Sequence, residues 1–151
     1  MENSSFEISK IKVFMNKVLV TGVFDILHTE HFSFLKKAKA LGDYLVVGVE
    51  SDVRVTQMKG KGRPVNSQIV RVANLKQLNY IDEVFILPEQ FSNPVDHSAL
   101  IQKIKPKYLA VSSHTKHLDK KEAILQQHGG KVVIVHTHNP LISTTQILSQ
   151  K

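Results

Sequence analysis

Cysteine is missing from all 151 residues, which excludes disulfides and thiolate chemistry and leaves any metal site to imidazoles and carboxylates. Aromatics make up only 7% of the chain, and none falls among the basic residues of 59–64. The base-stacking platform of a single-strand nucleic-acid binder is therefore not there. No apolar run approaches the roughly 18 residues of a membrane span. Met1 to Lys17 carries acidic residues, no uninterrupted apolar stretch and no small-residue cleavage site, so it does not read as a signal peptide. The expectation is a cytoplasmic protein without nucleic-acid or membrane partners.

What is present is a hydrophobic fraction of 42% and a mean hydropathy of −0.11, the balance of an ordinary globule. The length suits one domain. Residues 1–16 read as an N-terminal extension or peripheral helix, and 17–151 as the domain itself. A net charge of +7 favours anionic partners, from nucleotides to phosphosugars, although a lysine-rich surface also serves solubility alone.

Lys17 to Thr21 is a short β-branched run closed by Gly22, and His31 to Leu41 places Phe34, Leu35, Ala38 and Leu41 at helical spacing. After Gly42-Asp43, Tyr44 to Val49 has the unbroken apolarity of a strand buried on both faces. Thr56 to Asn66, with two glycines, a proline and basic residues, reads as a mobile loop. Ser67 then caps a helix whose buried stripe is predicted as Ile69, Val72, Ala73, Leu75 and Leu78. Val84 to Leu87, Tyr108 to Val111 and Lys131 to Val135 are further strands, separated by helices over Asp96 to Lys105 and Lys120 to His128. A last helix is expected near Ser143. Short apolar strands alternating with helices predict a doubly wound five-stranded parallel sheet, with its ligand site at the strands' carboxyl ends.

The residues after the first strand carry the most chemistry. Gly22-Val23-Phe24-Asp25 leads through His28 to His31 at a helix start, where unpaired N–H groups and the helix dipole attract anions. Imidazoles three residues apart share a face there and could stabilise charge growing on a phosphate under attack. The alternative readings are satisfied core histidines and, for Asp25, a helix cap.

In this strand, glycine turn and helix, the pattern GxFDxxHxGH resembles that of the cytidylyltransferase-like nucleotidyltransferases, with a Rossmann-like, HxGH-type fold. Glu30 stands where the pattern has its second glycine. LGDYLVVGVESD and NYIDEVFIL also resemble glycerol-phosphate cytidylyltransferases and heptose-phosphate adenylyltransferases. The likeness runs from about Val18 to Leu148 and includes Ile142-Ser143-Thr144-Thr145.

The resemblance implies transfer of CMP or AMP from CTP or ATP to a small phosphate-bearing acceptor, with Mg2+ and release of pyrophosphate. That acceptor is a sugar phosphate, a polyol phosphate or FMN, and a homodimer is implied as well. His28, His31, Lys59 and Arg71 are the expected catalytic residues. Gly22, Val23, Phe24, Asp25, Ser143, Thr144 and Thr145 are expected to bind the nucleotide. His114 and His138, with His117 and His136, are candidates for acceptor or metal binding, or are ordinary surface histidines; no dedicated metal site is assigned. A catalytically impaired nucleotide-binding or sensing protein is the alternative, since a carboxylate at Glu30 should repel a triphosphate unless it turns away, pairs with a basic residue or helps to bind a metal.

Overall fold

A computed structural model of the chain describes residues 16–137. The expected helix at Ser143, the hydroxyl cluster Ser143 to Thr145, His138 and residues 1–15 lie outside them. The described chain alternates as anticipated: β1 (Lys17–Gly22), α1 (Thr29–Lys39), β2 (Tyr44–Val49), α2 (Asp52–Lys59), α3 (Gln68–Lys76), β3 (Glu83–Ile86), α4 (Pro94–Ile104), β4 (Tyr108–Ser112), α5 (Leu118–Gln127) and β5 (Lys131–His136). All pairings are parallel, in the order β3-β2-β1-β4-β5. The sequence order therefore reverses between β1 and β4, which opens a crevice at their carboxyl ends.

Alternation along β1 sorts the core into two layers. Val18 and Val20 face α1 and α3 through Leu35, Ala38 and Leu75. Leu19 faces α4 and α5 through Ile101 and Leu125. Each such side chain, fully buried, contributes about 1.5–3 kcal/mol, so both faces of the sheet are anchored and its carboxyl edge is a fixed platform. Thr21 follows Leu19 by two residues and so belongs to the α4/α5 face.

Two elements differ from expectation. The stretch assigned to a loop begins instead with α2, because the Ser51 side chain accepts the Arg54 N–H and starts a helix. In α3, Ile69 is 73% exposed and Ala73 is exposed, while Arg71 is enclosed. The inward stripe is rotated from the one read from apolar residues alone, because a charged side chain with enough partners can displace an apolar one from the interior.

Gly42 is required by close approach. A Cβ there would lie 1.9 Å from the Asn16 carbonyl oxygen, the same oxygen that accepts the Asp43 N–H. Gly42→Ala is expected to force the two backbones apart and to destabilise the protein by about 1–3 kcal/mol. A urea denaturation midpoint equal to that of the parent chain would refute this.

Candidate active site

His28 is the N-cap of α1 and His31 its third residue. The His28 N–H donates to His31 Nδ1 at 3.3 Å, which takes up one of the donors a helix start leaves open. Because Nδ1 accepts, the neutral His31 ring carries its proton on Nε2 and offers that N–H as a donor. The two rings stack with centroids 3.9 Å apart. Burial pushes the His31 pKa down to about 4, with the neighbouring His28 adding to the effect and Glu30 opposing it. His28 is lowered by burial as well, again against Glu30. Both rings are consequently neutral donors near pH 7, and His28 Nδ1 is buried without a hydrogen-bond partner among the described residues.

The turn before α1 is shaped by sterics. A Cβ on Gly22 would meet the Phe24 ring at 2.8 Å. Phe24 holds φ at 52°, a left-handed conformation that costs a bulky residue about 1–3 kcal/mol and persists only where its surroundings enforce it. Here the ring is buried in the core and packs 5.4 Å from His31, centroid to centroid. Strain in the turn thus supports the imidazole.

Asp25 is buried and acts as a tether. Its two carboxylate oxygens accept the N–H groups of Val65 and Asn66 at 2.8 Å each, Arg63 lies 3.5 Å away, and Asn66 Nδ2 donates to the Asp25 carbonyl. The basic segment expected to be mobile is held at its far end to the turn after β1. Asn66 and Arg63 were not singled out in the sequence; the signal was the run Arg63-Pro64-Val65-Asn66, whose partner is 40 residues away.

Arg71 requires a correction. It was expected to neutralise phosphate, but it is fully enclosed and donates to Asn66 O, Val23 O, Glu50 O and Asp52 Oδ1 at 2.8–3.0 Å. It is a positioning residue, joining the turn after β1, the end of β2 and the start of α2. Lys59 stands exposed at the end of α2.

Glu30 turns toward β5, where Oε1 lies 3.3 Å from His136 Nε2, and Lys37 Nζ donates to His136 Nδ1 at 3.0 Å. The carboxylate at the motif's glycine position is thus paired. His136 is drawn to α1, while His114 and His117 are exposed beyond β4. Among the described residues no three histidines or carboxylates converge as a metal site would require.

A family model described as cytidylyltransferase-like matches residues 19–150. Over 92 residues the chain is 46% identical to the bifunctional protein HldE of Campylobacter concisus, covering 61% of this chain and 18% of that protein. It is 45% identical over 92 residues to the HldE of Helicobacter pylori, covering 61% and 19%. The chain thus spans about a fifth of the length of these curated relatives. A lipopolysaccharide core biosynthesis protein from Thermoplasma volcanium superposes with a TM-score of 0.66 at 27% identity, over 82% of this chain and 97% of that one. Pantothenate synthetase from Thermus thermophilus shares the fold, with a TM-score of 0.65 at 13% identity over 93% and 65%.

Proposed function

We propose a nucleotidyl-transfer reaction for this chain, which belongs to the cytidylyltransferase-like family. An oxygen of the acceptor's phosphate attacks the α-phosphorus of ATP or CTP, the bond to the bridging oxygen breaks, and pyrophosphate leaves. The product is an ADP- or CDP-linked acceptor. The reading rests above all on the stacked, neutral imidazole pair at the open N-terminus of α1. Such chemistry needs positioning and charge stabilisation rather than a covalent intermediate, and preorganised donors in a partly dry site supply both.

In this reading His28 and His31 donate to oxygens of the reacting phosphates, and the leading N–H groups of α1 hold the triphosphate. Gly22 to Asp25 form the turn around it. Lys59 closes from the end of α2, and Ser143, Thr144 and Thr145 seat phosphate from the other half of the chain. Magnesium fits as part of the substrate, MgNTP, since that ion is commonly held by phosphates with only one or two carboxylates. The Asp25 carboxylate is already committed to its loop. The resemblance to heptose-phosphate adenylyltransferases supports ATP, that to glycerol-phosphate cytidylyltransferases supports CTP, and the Thermoplasma neighbour supports a sugar-derived acceptor. A cytoplasmic homodimer belongs to the same proposal.

Incubation with each NTP and a pooled phosphometabolite library, followed by mass analysis, is expected to show one nucleotide-linked product formed in step with pyrophosphate. NTP binding without pyrophosphate release across the whole pool would overturn the reaction and leave a nucleotide-binding or sensing protein.

A further inference from the structure

Glu30, in the first turn of α1, belongs with Phe34 and Lys37 to one face of that helix, at helical spacing. All three meet His136 at the end of β5. Glu30 Oε1 lies 3.3 Å from His136 Nε2, Lys37 Nζ lies 3.0 Å from Nδ1, and the Phe34 ring stands edge-on with its centroid 6.5 Å away. The His136 backbone is fixed as well, since its carbonyl accepts the Ser113 N–H at 2.9 Å just beyond β4.

The bonds of this bridge run in one direction. An ammonium only donates, so His136 Nδ1 accepts from Lys37, and the neutral ring carries its proton on Nε2 and donates it to Glu30. On α1 the carboxylate and the ammonium are two helical turns apart, about 10 Å along the axis, too far to pair directly. The imidazole spans them. With 10% of the His136 side chain and 21% of the Glu30 side chain exposed, water and salt screen the contact only in part.

Without the bridge Glu30 has other donors within reach. The Phe32 N–H bonds back to His28 O at 3.2 Å, and the N–H groups ahead of it lack partners within the helix and attract anions. A first-turn carboxylate with no other partner is drawn to those same donors. Its charge already reaches the imidazoles, since it opposes the lowering of both the His28 and the His31 pKa. We infer that His136, backed by Lys37, is a positioning residue that holds the Glu30 carboxylate off the α1 N-terminus and so keeps the phosphate site open; untied, Glu30 becomes an internal competitor for the triphosphate. This rests on the transfer reading above, which seats the triphosphate on those N–H groups.

The test is a calorimetric titration of MgATP and of MgCTP into the full chain and its variants, with no acceptor present. His136→Ala should weaken binding of whichever nucleotide the parent chain takes by about 10-fold or more, and the gap should narrow as salt screens the repulsion. Glu30→Gln should bind at least as tightly as the parent chain, and the E30Q/H136A double variant should return to within about 2-fold of E30Q. Lys37→Ala, which alters an exposed residue and spares the fold, should weaken binding less and be repaired by E30Q in the same way. A tie that served structure alone would give another pattern, with E30Q and H136A losing the same contact and neither repairing the other. The inference is overturned if H136A and K37A both bind as the parent chain does, if E30Q weakens binding, or if E30Q repairs neither variant. Those results leave the transfer reading standing, whereas a parent chain that takes up neither nucleotide removes that reading and this inference with it.

Discussion

Replacing His28 or His31 by alanine is expected to slow pyrophosphate release by about 10²–10³-fold, the usual loss when one preorganised donor to a developing oxyanion is removed. The stacked rings form one unit, so the double variant should fall little below the worse single one. Nucleotide affinity, measured separately, should change far less than turnover, because the donors act mainly on charge that appears in the transition state. An alanine variant with parental turnover would remove the imidazoles from the reaction.

His31 also makes a stability prediction of fixed sign. Its folded pKa is lowered to about 4 by burial first, then by His28, against an unfolded value near 6.5. Between those values the unfolded chain takes up a proton that the native site refuses, so stability falls as pH drops through that window and is fully lost from this group below about pH 4. The contribution is on the order of 3 kcal/mol. Denaturant midpoints from pH 7 to pH 4 should decline less steeply in His31→Gln than in the parent chain. Turnover should show no titration of His31 between pH 6 and pH 8, since its ring is neutral throughout.

The parallel sheet and its alternation with helices were legible because apolar runs and glycine stops are local signals. So was the imidazole pair, since both rings lie on one helical turn. What the sequence hid depends on partners distant along the chain. Glu30 reads as a repulsive charge until the fold brings His136 across from β5. Asp25 reads as a helix cap or phosphate-loop residue until Val65 and Asn66 fold back onto it. Spacing reveals which residues share an element; it does not reveal which groups end up in a dry space between elements.

Arg71→Ala is expected to destabilise the protein by about 3–5 kcal/mol, the range for removing one partner of a buried charged network. The Asp52 carboxylate is 41% exposed and rehydrates, so the ion pair is the smaller part of that loss. The larger part falls on the carbonyls of Val23, Glu50 and Asn66, which lose their donor at about 1–3 kcal/mol for each left dry. Arg71→Lys should recover less than half, because an ammonium cannot span the same acceptors as a planar guanidinium. At this chain length the alanine variant should melt at least about 6 °C lower. A cation that merely touched phosphate would give the opposite pattern, with melting unchanged and the NTP requirement raised. Should R71A melt with the parent chain while its KM for NTP rises, the guanidinium belongs to the substrate after all and not to the frame that holds the turn, β2 and α2 together.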